Sequence, residues 1–158
     1  MDHLFTPWRY AYITGANNPG DCLFCGLLQM KDDEKALIVH RGKYCFVMLN
    51  AFPYTSGHAM VAPYQHVDQL IKLSQPAAEE MMSLTQGLEG ILRELYRPDG
   101  LNLGMNLGKA AGAGVADHIH MHILPRWFGD VNFMSSVGET RVLPEDLQTT
   151  YKRIRSKF

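Results

Sequence analysis

Apolar positions along the chain change period several times, and each change marks an element. In Ala36–Leu49 (ALIVHRGKYCFVML) two short apolar runs flank the turn-like Arg41-Gly42-Lys43, which predicts two strands. The stretch AFPYTSG reads as a loop, and His58–Pro63 (HAMVAP) as a short strand ended by proline. From Pro76 to Tyr96 the period lengthens: Met81, Leu84, Leu88, Ile91, Leu92 and Leu95 form one stripe of a helix. Pro76 suits its first turn, and Arg97-Pro98-Asp99-Gly100 closes it. Leu101–Leu107 (LNLGMNL) and His118–Leu124 (HIHMHIL) alternate as strands do, with the small-residue loop KAAGAGVAD between them. A last amphipathic helix follows Pro144. Near the start, Asp21 suits the N-cap of a short helix over CLFCGLLQM, and residues 1–21, with Pro7, Gly15, Pro19 and Gly20, read as irregular. Neighbouring strands of antiparallel type with one long helix after the third favour an α+β domain over a parallel α/β sheet.

Composition narrows the function classes. The chain has 158 residues, 46% of them hydrophobic and 20% charged, which suits one globular domain. A formal net charge of -1 gives no reason to expect a nucleic acid or an anionic membrane as partner, so a phosphate ligand needs local donors. No run approaches the roughly 18 apolar residues of a membrane span, and the N-terminal MDHLFTPWRYAYI lacks the apolar core of a secretory leader, so a cytoplasmic location is expected. Three cysteines do not make a disulfide framework. Cys22 and Cys25 form a CxxC suited to metal or redox chemistry, while Cys45 in CFVML reads as core. The surroundings of the CxxC lack the βαβ pattern of a thioredoxin-like site.

The chemistry is concentrated in Asp117–Leu124. Alternation places His118, His120 and His122 on one strand face, roughly 6.5–7 Å apart, with Ile119, Met121 and Ile123 on the other. Three imidazoles in a row are poor core material, because each neutral ring needs both a donor and an acceptor. They suit catalysis: a neutral imidazole nitrogen can attack phosphorus and divide one hard displacement into two easier ones. The attacking ring must present a lone pair while its other nitrogen donates to a fixed acceptor. An accidental His-rich patch or a metal-binding strand is the plainer alternative.

The segment HIHMHIL resembles the His-φ-His-φ-His-φ-φ signature (φ apolar) of the histidine-triad, or HIT, superfamily, and the likeness extends over about residues 21–132 of a single domain spanning 1–158. The resemblance implies a HIT-like α+β fold: an antiparallel sheet of about five strands, one long helix, and shorter N- and C-terminal helices. It places the nucleophile on His120, gives His122 the task of orienting and polarising it through the backbone, and puts His118 beside the site or on a metal. Asn50 and His58, eight apart with Gly57 before the histidine, match the ribose-binding Asn and the accessory His of the family. Asn106, Lys109, Gly112 and Gly114 match its phosphate-side loop, though a solvated Lys109 remains an equal reading. This loop departs from the family's Gly-Gln-Ser/Thr-Val: Gly114 stands where Gln is expected and Val115 where Ser or Thr is, leaving the acceptor, water or phosphate, open.

The flanks LFTPWRYAYI and PRWFGDVNFM resemble the bacterial diadenosine tetraphosphate phosphorylase branch, which implies phosphorolysis of an adenine dinucleotide by inorganic phosphate. Trp127, Asp130 and Asn132 then either close the site or belong to a packed aromatic and a solvated loop. By likeness to zinc-bearing members and to galactose-1-phosphate uridylyltransferases, Cys22, Cys25, His66 and His118 form a structural zinc site; two thiols alone are too few for one. The family also implies a homodimer. An adenosine phosphoramidase or acyl-adenylate hydrolase, a non-catalytic nucleotide-binding adaptor, and a metal-sequestering protein are the rival readings.

Overall fold

The computed structural model describes residues 22–138, 140 and 142–158. The proposed Asp21 cap and the irregular 1–21 segment, with its LFTPWRYAYI, lie outside these residues. Five strands form one antiparallel sheet: β1 (Ile38–Arg41), β2 (Cys45–Leu49), β3 (Ala59–Pro63), β4 (Gly100–Gly104) and β5 (Met121–Arg126). Their spatial order is β1-β2-β3-β5-β4, so the last strand inserts between β3 and β4. The helices are α1 (Leu23–Gln29), α2 (Gln75–Tyr96), α3 (Phe133–Ser136) and α4 (Leu147–Arg155). The expected α+β sheet, long helix and terminal helices are all present.

Every residue of β2 and β3 is buried because both sheet faces are covered. On one face Val39, Cys45, Val47, Leu49, Ala59 and Val61 meet Ala77, Met81, Leu88 and Leu92 of α2 and Tyr151 and Ile154 of α4. On the other, Ile38, Phe46, Met48, Met60 and Ala62 meet Phe24 of α1. Successive strand residues thus alternate between two cores, which explains why these segments read as unbroken apolar runs. Burying a Val, Leu or Phe side chain contributes about 1.5–3 kcal/mol, so both layers hold the sheet.

Local chemistry sets the boundaries. Pro76 sits in the first turn of α2, where its missing N–H is not needed, and Arg97 in a left-handed conformation (φ 45°) ends it before Pro98. Glu80, on α2, accepts from the main-chain N–H groups of Lys43, Tyr44 and Cys45 and so closes the β1–β2 turn.

Two boundaries differ from the sequence expectation. β5 begins at Met121, so of the three histidines only His122 is in the ladder; Ile119 N–H donates instead to Val67 O at 2.8 Å. β4 stops at Gly104, opposite His122, because the chain that would pair with Met105–Leu107 has left the sheet. The one-turn α3 was not read from sequence, although Asn132 and Ser135 form a capping box at its start.

Candidate active site

The face alternation survives beyond the ladder. Ile119 and Ile123 lie in the α2-side core, and the three imidazoles take the α1 side. His120 is only 5% exposed. Its Nδ1 lies 3.0 Å from the main-chain oxygen of His118. A carbonyl only accepts, so Nδ1 carries the proton and Nε2 of the neutral ring is bare. The ring is flanked by Phe24, with centroids 5.0 Å apart, and by His122 at 4.7 Å. The fixed acceptor is therefore the His118 carbonyl.

His122 belongs to a second chain of contacts. Tyr54 N–H donates to His58 Nδ1 at 3.2 Å, which leaves the proton of neutral His58 on Nε2, 3.0 Å from His122 Nδ1. Accepting there, neutral His122 holds its own proton on Nε2. Tyr54 also packs on His58 in a tilted contact, with centroids 4.7 Å apart. Burial, then the neighbouring His122 and His120, push the His58 pKa down to about 3; burial, then His120, push His122 down to about 4. Burial lowers His120 too, partly offset by its bond to the His118 carbonyl. The cluster is thus held neutral at pH 7.

Gly57 places His58. Its φ is +78°, and a Cβ there would meet Leu92, Pro125 and Tyr96 at 3.2 Å, so only glycine brings the loop this close to α2 and β5. Asn50 sits beside His58, its Nδ2 3.4 Å from His58 Nε2, while its Oδ1 accepts from Phe52 N–H at 2.9 Å. That oxygen already closes a local turn.

In the glycine loop, Gly108 (φ +84°) and Gly112 (φ +90°) flank a short 3-10 turn, Lys109–Ala111, and Asn106 Nδ2 is 4.0 Å from where a Gly112 Cβ would stand. Lys109 and Gly114 are exposed. Val115 packs onto the α1-side core, so the position expected to offer a hydroxyl is an apolar anchor. Asp130 pairs with Arg126, and Asn132 caps α3; Trp127 lines a cavity of about 920 Å³ together with Tyr54, Ser56 and Tyr96. A second cavity, of about 910 Å³, lies between Asp33, Arg41 and α4. None of the three triad histidines lines either one.

Cys22, Cys25, His66 and His118 converge: their ligand atoms all lie within 4.8 Å of one another. His118 Nδ1 is 3.2 Å from Cys22 Sγ and 3.8 Å from Cys25 Sγ, and His66 Nδ1 is 3.5 Å from Cys25 Sγ. A tetrahedral shell with ordinary zinc–sulfur and zinc–nitrogen lengths has edges of about 3.3–3.8 Å; these three donor pairs stand close to that spacing, within a set that spans up to 4.8 Å. His118 Nε2 donates to Pro63 O at 2.8 Å, which fixes its tautomer and leaves Nδ1 bare toward the thiols. The donor set fits a cation in both geometry and chemistry.

Two contributors escaped the sequence reading. Phe24 stands inside the CxxC itself and touches both His118 and His120. Its only sequence signal is its place between the two cysteines; Tyr54, in a loop, gave none.

A five-stranded antiparallel sheet, backed by one long helix and receiving a His-x-His-x-His segment beside a Cys/His cluster, defines one class of protein. The HIT domain model matches residues 31–129, and the chain belongs to that family. Among its relatives is the AP-4-A phosphorylase of Mycobacterium tuberculosis, 36% identical over all of this chain and 85% of that protein. The protein hit of Bacillus subtilis is 28% identical over 87% of this chain and 94% of its own. A zinc-bound histidine triad family protein from Mycobacterium smegmatis superposes with a TM-score of 0.70 at 27% identity, covering 87% of this chain and 92% of that one. No helix among the described residues is long and apolar enough to cross a membrane.

Proposed function

We propose that the chain is a nucleotidyl hydrolase or transferase that cleaves dinucleoside polyphosphates, with phosphorolysis of diadenosine tetraphosphate as the favoured reaction and His120 as nucleophile. Family membership supports a nucleotide-processing enzyme, and the full-length likeness to an AP-4-A phosphorylase favours inorganic phosphate over water as acceptor. The observation that carries the reading is the tautomer of His120: Nδ1–H is tied to the His118 carbonyl, leaving Nε2 as the attacking lone pair.

In the first step Nε2 bonds to the α-phosphorus and the phosphorus–oxygen bond to the leaving nucleoside polyphosphate breaks. In the second, a phosphate oxygen attacks the same phosphorus and the nitrogen–phosphorus bond breaks, releasing a nucleoside diphosphate. His122 and His58 form a neutral relay that presents the His122 Nε2–H to the reacting phosphate. His118 supplies the carbonyl. Asn50 and Asn106 with Gly112, Gly114 and Lys109 hold ribose and phosphates, the glycines by turning main-chain N–H groups toward oxygen.

Zinc is the proposed occupant of the Cys22, Cys25, His66 and His118 cluster. Four protein ligands close its coordination, so it serves structure and takes no part in bond making. A homodimer joined along the outer edge of β4, which has no second strand neighbour among the described residues, is supported by the exposure of Asn102, Leu103 and Gly104 there.

The test is mass spectrometry of protein denatured without acid after brief exposure to diadenosine tetraphosphate. An adenylyl group on His120 is expected, and ADP plus ATP should appear only with added phosphate. A wild-type protein that turns over without any adduct, or His120→Ala at the wild-type rate, would overturn the reading.

A further inference from the structure

Among the described residues, the His120 ring has one hydrogen bond, at Nδ1. A single bond at one end leaves the ring free to swing, and attack on phosphorus requires aligned approach at about 3–3.5 Å. The remaining constraint comes from its neighbours. His122 lies on one side, nearly perpendicular at 71°. Phe24 also packs against the ring, and it is 1% exposed.

Phe24 is wedged rather than merely packed. Its centroid is 5.1 Å from His118 at 62° and 5.0 Å from His120 at 53°, while Phe46 of β2 backs it at 6.3 Å and 65°. These are tilted and edge-to-face contacts, which have a directional preference that an aliphatic side chain lacks. Phe24 also sits on α1 between Cys22 and Cys25, so whatever orders the Cys/His cluster orders the wedge.

We propose that Phe24 is a positioning residue that holds the His120 imidazole for attack, beside the hydrogen bond that His120 makes to the main chain of the cluster residue His118. The inference rests on His120 being the nucleophile. It assigns to an apolar residue, with no atom able to bond phosphate, a share of the rate.

The test uses full-length zinc-loaded protein with Phe24→Leu and Phe24→Met, the latter keeping an unbranched chain of similar length should the former fail to fold. Two readouts are taken well below the melting temperature: nitrogen chemical shifts of His120 in long-range imidazole spectra, and kcat and KM separately. Wild type should show one fixed tautomer, protonated at Nδ1. Each folded variant should show shifts averaged toward exchanging tautomers, kcat lower by about 10- to 100-fold and KM changed less than about threefold. Replacing only bulk would lower the melting temperature and leave both readouts in place. A wild-type His120 spectrum and kcat in a folded, zinc-loaded variant would therefore overturn the proposal. The spectra need no turnover, so they report on Phe24 even where wild type forms no adduct and the nucleophile assignment itself falls.

Discussion

At the scale of single residues, the site is a set of neutral imidazoles whose protons are assigned by fixed partners. His120→Ala removes the attacking nitrogen, and steady-state turnover should fall by on the order of 10³-fold or more. The depressed pKa values of His58 and His122, about 3 and about 4, have a thermodynamic consequence. In the unfolded chain both rings titrate near 6.5, whereas the folded chain resists the proton until far lower pH. Between about pH 6.5 and 4 the unfolded state binds more protons. Stability from these groups is complete above about pH 6.5 and is lost as pH falls toward their folded values. Melting temperature measured from pH 7 to pH 4.5 should drop, and the drop should be shallower in His122→Gln. A wild-type slope in that variant would mean that His122 is not held neutral by its surroundings.

Elements divide into those that support themselves and those that borrow support. The α2 helix, 22 residues with a buried stripe, belongs to the first kind. Its Glu80 also anchors the β1–β2 turn, and Glu80→Gln should cost about 1.5–3 kcal/mol in denaturant melts, the range for hydrogen bonds to a charged group. The α1 helix is of the second kind: seven residues, with no side-chain cap at Cys22 and Phe24 as its one buried residue. Isolated helices of that length are not stable, so α1 depends on the Cys/His cluster and on Phe24. Chelation at neutral pH should therefore raise amide exchange across residues 23–29 well before it affects α2, as hydrogen-exchange mass spectrometry would show. Protection of α1 unchanged after metal loss would separate the helix from the cluster.

Across the whole molecule, the hydrophobic period was enough to find the five strands, the long helix and the last one, because their patterns reflect which face is covered. The alternation of the histidines was also legible, and the family resemblance named Cys22, Cys25, His66 and His118, which the fold brings together. What could not be read depends on pairing between distant segments. The exit of His118–His120 from the ladder is set by Val67, and Phe24 gains its neighbours only once α1 docks against the chain 96 residues after Cys22. The exposed β4 edge leads to an expectation at the same scale. Light scattering should give the mass of two chains, and Leu103→Lys, at a position 48% exposed in the single chain, should shift it toward one.

The early departure of the triad segment from the sheet also limits what can be transplanted. Inside a regular ladder, the oxygen of residue 118 would be engaged by a neighbouring strand, not by the ring two residues on. A His-x-His-x-His stretch grafted into an ordinary hairpin would keep its periodicity yet forfeit that acceptor. Designers borrowing this chemistry must therefore copy the interruption in the pleat as well as the letters.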